Sequence, residues 1–204
     1  ELCMYKFLKR IMDFIISLIS IVILMPFLFI IALLIKLDDK DNIFYSAERI
    51  GKDCKKIKMY KFRTMKENCE DIRNADGSTY NSEDDPRVTK IGKVLRKTSL
   101  DELPQLFNVL IGEMSIIGPR ASEWNSLNDY LPEELDKMKV KPGITGYTQA
   151  YYRNSLSLRD KRKYDVWYAN NMGFLLDTKI FFKTIITVLK KENIYTNTKK
   201  RGKL

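Results

Sequence analysis

The sequence has 204 residues, 36 Lys+Arg against 26 Asp+Glu for a formal net charge of +10, and no histidine. That length allows one domain with an appendage, and the missing histidine excludes Ser-His-Asp and Cys-His catalysis, a histidine general base and any histidine-ligated metal. Cys3, Cys54 and Cys69 form no CxxC pair, which argues against a disulfide framework or a cysteine zinc site and suits a reducing compartment, while the positive balance implies an acidic partner such as nucleic acid, anionic lipid or a phosphate-rich substrate.

Residues 14–35 carry no formal charge, and only Ser17, Ser20 and Pro26 interrupt a strongly apolar run. As a straight helix the run would reach about 33 Å, enough for a bilayer core. It is too long for the apolar region of a secretory signal, and no small-residue cleavage site follows it. Pro26 offers no N–H to the Val22 carbonyl, and its ring crowds that carbonyl. Two shapes are open: a kinked span, or a re-entrant hairpin hinged at Pro26. In the hairpin, residues 14–25 reach about 18 Å and residues 26–35 about 15 Å, each short of about 30 Å of hydrocarbon. Lys6, Lys9 and Arg10 precede the run and most of the remaining positive charge follows it. Both flanks therefore favour the cytoplasm, which the hairpin alone lets them share.

Residues 43–64 read as a hairpin, with Ile43-Phe44-Tyr45 on one arm, a turn near Arg49-Ile50-Gly51-Lys52, and a β-branched and aromatic second arm. Residues 66–87 read as an acidic loop with turn signals at Asp76-Gly77 and Asp85-Pro86. Helices are expected over residues 90–97 and 100–110, the second closed by Gly112. Residues 115–120 and 141–146 are expected as tight loops, and 132–139 as a helical block. Ser157 with Asp160 is a capping pattern opening a helix to about Asn171. A last helix over residues 174–191 sets Leu176, Ile180, Thr184, Ile185, Val188 and Leu189 at helical spacing, for core packing or for lying on anionic lipid. The tail beyond it is basic.

Ser99-Leu100-Asp101-Glu102 fits a capping box. A helix start also suits phosphate chemistry: its free N–H groups bind phosphate, and its positive end would hold Asp101 ionised as a nucleophile. Two adjacent carboxylates would repel a phosphate without a cation between them, so Mg²⁺ is implied. Gly118-Pro119-Arg120 holds an arginine rigidly for a bidentate grip. Pro142-Gly143-Ile144-Thr145-Gly146 resembles an anion nest, without a Walker lysine, and Arg153-Asn154 sits just beyond.

Four motifs together resemble the bacterial sugar transferases, specifically the small monotopic phosphoglycosyl transferases. They are Lys58-Met59-Tyr60-Lys61-Phe62-Arg63-Thr64-Met65, the run from Ser99 through Asp101-Glu102-Leu103-Pro104-Gln105 to Leu110, Met114-Ser115-Ile116-Ile117-Gly118-Pro119-Arg120, and Pro142 to Gly146. The likeness runs from about Tyr5 to Ile194, and the chain's size is that of the family's minimal members. It implies an α+β, mostly helical fold with an N-terminal re-entrant membrane helix hinged at Pro26, a short β-hairpin and amphipathic helices at the membrane surface. It implies residues 1–36 as the membrane helix, 37–194 as a cytosolic catalytic domain and 195–204 as a basic tail. The implied reaction moves a sugar 1-phosphate from a UDP-sugar to undecaprenyl phosphate, releasing UMP, on the cytoplasmic face of the bacterial inner membrane. Asp101 would carry the phosphosugar and bind Mg²⁺, with Glu102 as its partner, and Arg96, Arg120 and Arg153 would face the phosphates and nucleotide. Pro142, Gly143, Thr145 and Gly146 would complete the substrate site. The oligomeric state stays open, a dimer included. Ala121 after Arg120, Met25 before Pro26 and Tyr147 after Gly146 depart from the family pattern and leave the sugar pocket open.

Two other readings remain at this point. A non-enzymatic, basic, membrane-anchored lipid-binding scaffold accounts for the anchor and the tail but not for the Asp-Glu pair. A transferase moving the sugar alone would release UDP instead of UMP. A nucleic-acid binder fits poorly with a membrane segment.

Overall fold

The computed structural model describes residues 2–74 and 80–190. The Asp76-Gly77 turn signal and the basic tail at 195–204 lie outside the described residues. The fold is mostly helical with short strands, and one helix dominates it: α1 runs over Leu2–Asp39, helical through Pro26. By length and composition it is the one helix among the described residues that could cross a membrane.

One face of α1 lies against the rest of the chain. Lys9, Asp13, Ser17, Ile21, Leu28, Ile31 and Ile35 are buried at helical spacing, while Phe7, Ile15, Ile19, Val22, Phe29 and Leu37 are exposed. At its N-terminal end, Asp177 accepts hydrogen bonds from Lys9 and Tyr5, each at 2.6 Å. Arg10 donates to the carbonyls of Val109 and Leu110 at 2.6 and 2.9 Å. Asp13 accepts from the Ser115 hydroxyl at 2.7 Å and from the Ile116 N–H at 3.1 Å. At its C-terminal end, Asp38 accepts from the Ile91 N–H at 3.1 Å and Asp39 holds the Arg63 guanidinium at 2.6 Å.

The expected hairpin forms: β1 (Phe44–Ile50) pairs antiparallel with β2 (Lys56–Phe62), with Arg49 opposite Ile57 and Tyr45 opposite Lys61. The helices α2 (Lys90–Thr98) and α3 (Gln105–Ile111) follow. Residues 115–120 and 141–146 are not two free loops. They contain β3 (Ser115–Ile117) and β5 (Gly143–Thr145), which pair in parallel. Three-residue strands are too short to show a period-two pattern, so they read as loops. Their glycines serve this pairing: a Cβ on Gly143 would stand 2.1 Å from the Gly118 N. Between them β4 (Ser122–Glu123) extends β1 on its other edge, so the sheet order is β2-β1-β4. The block at Pro132–Lys139 is 3₁₀ in form.

The chain ends in α4 (Tyr147–Tyr151), α5 (Leu158–Asn171) and α6 (Phe174–Lys190). Ser157 caps α5 as expected, accepting from the Asp160 N–H at 3.1 Å. The apolar face expected on the last helix is only half in the core: Ile180 is buried, but Ile185 and Leu189 are exposed with Phe174, Leu175, Phe181, Phe182 and Ile186. The buried side of α6 presents Asp177 and Thr187, which bond Lys9, Tyr5, Tyr168 and the Ala150 carbonyl.

Candidate active site

Asp101 and Glu102 sit on a single 3₁₀ turn, Leu100–Glu102, between α2 and α3. The capping box expected at Ser99 does not form. Ser99 instead closes α2 in a left-handed conformation, its N–H directed to the carbonyls of Arg96 and Leu95. Pro104 is the reason: it has no N–H for the Leu100 carbonyl, so a helix cannot run through from residue 100, and α3 starts at Gln105. The freed Ser99 hydroxyl accepts from Arg153 Nη2 at 3.0 Å. Ser99 (φ 59°) and Arg153 (φ 48°) are both left-handed, a costly state for residues with a side chain, and one that gathers at functional sites.

The electrostatics of the pair follow from this geometry. A helix N-terminus would have held Asp101 below its ordinary value. On this turn burial dominates and pushes its carboxyl up to about 6; Lys61 and Arg96 oppose the shift and Glu102 adds to it. Burial also acts against a charge on Glu102, but Lys61, Arg120 and Arg153 outweigh it and hold Glu102 below the usual carboxylate range. Lys61 Nζ lies 2.6 Å from Glu102 Oε1, and Arg120 Nη1 lies 4.0 Å from the same oxygen. The two neighbours are thus unlike: Glu102 is an ion-paired carboxylate, and Asp101 is the one whose charge is still in want of compensation.

A cleft opens beside Glu102, lined by Arg49, Met59, Lys61, Gln105, Arg120, Ala121, Gly143, Ile144 and Gln149. Of the residues singled out in the sequence, Glu102, Arg120 and Gly143 line it. Arg96 and Arg153 act on the pair from beside it, Arg96 also donating to Thr64 Oγ1 at 2.9 Å. The rest of the expected anion nest is engaged elsewhere. The Gly143 N–H donates to the Pro119 carbonyl, and the Pro142 and Thr145 carbonyls accept from Ser115 and Gly118, all at 2.9 Å. The Thr145 hydroxyl meets that of Thr184 at 2.8 Å, and the Gly146 carbonyl accepts from Ala150 in α4. Pro26 lies within α1, outside the cleft.

Sequence reasoning missed Lys61, Arg49, Gln105 and Gln149. For Lys61 a signal existed: period-two alternation along β2 puts it on the same face as buried Ile57 and Met59, an inward-facing lysine that needs an anion. The pairing of Arg49 with Ile57 turns Arg49 to that face as well.

Mg²⁺ fits this donor set in part. No cluster of three or more acidic or cysteine ligands occurs among the described residues. Mg²⁺ is commonly held by one or two carboxylates, with water and substrate phosphate completing its shell, and the half-buried Asp101 carboxyl is the group here that a cation would neutralise.

Residues 4–191 match the family of bacterial sugar transferases. The chain is 36% identical over 195 residues to an exopolysaccharide production protein PSS of Rhizobium leguminosarum bv. phaseoli, covering 90% of this chain and 96% of that protein. It is 38% identical over 191 residues to a UDP-N-acetylgalactosamine-undecaprenyl-phosphate N-acetylgalactosaminephosphotransferase of Aeromonas hydrophila, covering 91% of this chain and 44% of that one. It is 34% identical over 201 residues to an undecaprenyl-phosphate galactose phosphotransferase of Salmonella typhimurium, again spanning less than half of the relative, 42%.

Proposed function

The chain belongs to the bacterial sugar transferase family, and on that premise we propose that it moves a sugar 1-phosphate from a UDP-sugar to undecaprenyl phosphate and releases UMP. The observation that carries the reading is the unlike carboxylate pair: Asp101, half-buried with its carboxyl pushed up to about 6 by desolvation, beside Glu102, paired with Lys61 at 2.6 Å. A carboxylate of that kind is ionised at neutral pH and poorly solvated, which suits a nucleophile.

Asp101 attacks the phosphorus that bears the sugar. The bond from that phosphorus to the UMP oxygen breaks, and an acyl phosphate joins the sugar phosphate to Asp101. An oxygen of the lipid phosphate then attacks the same phosphorus, the acyl bond breaks, and Asp101 returns as a carboxylate with the diphosphate formed on the lipid. Lys61 keeps Glu102 ionised, and Arg120, Arg96 and Arg153 set positive charge around the transferring group. Asp101 would hold Mg²⁺, which would supply charge neutralisation for the departing UMP.

The packing of α1 supports a single-sided membrane placement. A helix of 38 residues extends about 57 Å, yet polar groups near both its ends bond one and the same folded body. A true span would separate those ends by the bilayer. We take the exposed apolar face of α1, with that of α6, to sit in the cytoplasmic leaflet of the inner membrane, and Pro26, which offers the Val22 carbonyl no N–H, to be where α1 bends on entering it. A lipid-binding scaffold would share the apolar faces but would have no use for the half-buried Lys61–Glu102 pair beside Asp101. The test is turnover of a panel of UDP-sugars with undecaprenyl phosphate in nanodiscs. UMP is expected from one or more of them; UDP in its place would point to transfer of the sugar alone, and no nucleotide from any would favour the scaffold.

A further inference from the structure

Among the described residues, three buried side-chain atoms lack a hydrogen-bond partner: Arg49 Nε, Gln105 Nε2 and Gln149 Oε1. All three residues line the cleft beside Glu102. A buried polar atom left unpaired is costly, and folded proteins rarely tolerate it. Three such atoms around one cleft point to a ligand that supplies their partners.

The chemistry of that ligand can be read from the set. Gln149 Nε2 donates to the Ile144 carbonyl at 3.2 Å, which fixes the amide and leaves its oxygen as the free atom. Arg49 Nη1 is drawn to Glu123 Oε1 at 3.6 Å, leaving Nε. The ligand therefore meets two donors and one acceptor. Met59, Ala121 and Ile144 add apolar walls, and the cations Lys61 and Arg120 stand at the Glu102 end. A phosphate offers no donor to Gln149. A sugar carries hydroxyls around its whole rim, which those apolar walls would leave unpartnered. A pyrimidine with two carbonyls and an N–H between them has flat apolar faces and an acceptor–donor–acceptor edge, the complement of the three atoms.

We propose that this part of the cleft is the uracil subsite of the donor nucleotide, with Gln149 accepting from the ring N3–H and Arg49 and Gln105 donating to the ring carbonyls. The phosphates would then extend past Lys61 and Arg120 toward the Asp101–Glu102 turn. The proposal rests on the reading that the donor is a UDP-sugar.

Binding of UMP and of CMP to the full chain in nanodiscs, by equilibrium dialysis, tests the subsite apart from the reaction. Cytosine sets an acceptor at N3 against the Gln149 oxygen, so UMP should bind at least about tenfold more tightly than CMP. Gln149→Leu and Gln105→Leu should each cut that preference to under about threefold, because the discriminating bonds are gone. A preference that both variants retain in full would overturn the subsite and leave the transfer reaction standing, as would equal binding of UMP and CMP by an enzyme that still releases UMP from a UDP-sugar. Absence of both UMP binding and UMP release would remove the transfer reading and the subsite with it. The unmodified chain gives a second measurement that no folding defect can obscure. Irradiated with 4-thio-UMP, it should carry the label on peptides containing Gln105, Ala121, Ile144 or Gln149, and a label confined to other peptides would overturn the proposal.

Discussion

Lys61 shows how much one side chain changes at this site. Its ammonium is the closest compensating charge to Glu102 and also opposes the burial of Asp101. Because burial raises Asp101 to about 6, its nucleophilic form exists above that pH, and turnover should fall as pH drops through about 6. Lys61→Met removes a charge that lowers the carboxyls of both neighbours. We expect turnover to drop by about 10²-fold, the scale of losing one electrostatic partner, and the acidic limb of the pH–rate profile to move to higher pH. An unmoved limb would show that Lys61 acts on neither carboxylate. Asp101, Glu102 and Arg120 were legible in the sequence because their motifs are short and local. Lys61 left a signal only in the alternation of β2, and Arg49 and Gln149 left none, because strand pairing and the β3–β5 crossover bring them together from distant parts of the chain.

At the level of elements, α3 is fastened to the hairpin by one buried amide. Asn108 accepts from the Tyr60 N–H at 3.1 Å and donates to the Lys58 carbonyl and to Glu113, each at 2.8 Å. It thereby pairs the edge of β2 that no strand among the described residues covers. Asn108→Ala leaves two backbone groups of β2 unpartnered under a packed helix, and should destabilise the fold by about 2–4 kcal/mol. Thermal unfolding in detergent would read this, with Asn108→Asp expected to lose at least as much, because a buried carboxylate there would face the Lys58 carbonyl and the Glu113 carboxylate. The hairpin, α2, α5 and α6 were readable because periodicity and caps are encoded within each. The strands β3 and β5 were not, since neither is long enough to carry a pattern and each exists only because the other is beside it. Ser99 misled for a related reason: the pattern of a cap was present, but Pro104 moved the helix start beyond its reach.

For the whole molecule the central relation is between one long apolar helix and a cationic cleft. Both ends of α1 are tied to the same body, so cysteines introduced in place of Lys6 and Lys40 should be equally accessible from the cytoplasm in a background lacking Cys3, Cys54 and Cys69. Labelling from opposite sides would contradict the single-sided placement. The shape also explains the chemistry proposed for it: a soluble nucleotide sugar and a lipid phosphate can meet at Asp101 in turn, which a double displacement needs. The most direct test supplies the UDP-sugar and Mg²⁺ without any lipid phosphate and follows UMP and the mass of the protein. The account predicts a burst of about one equivalent of UMP, a gain of one sugar phosphate mapping to Asp101, and neither with Asp101→Asn, a loss on the scale of removing a nucleophile. UMP release that waits for lipid, with no adduct trapped on the protein, would contradict it and place the attack on the lipid phosphate itself.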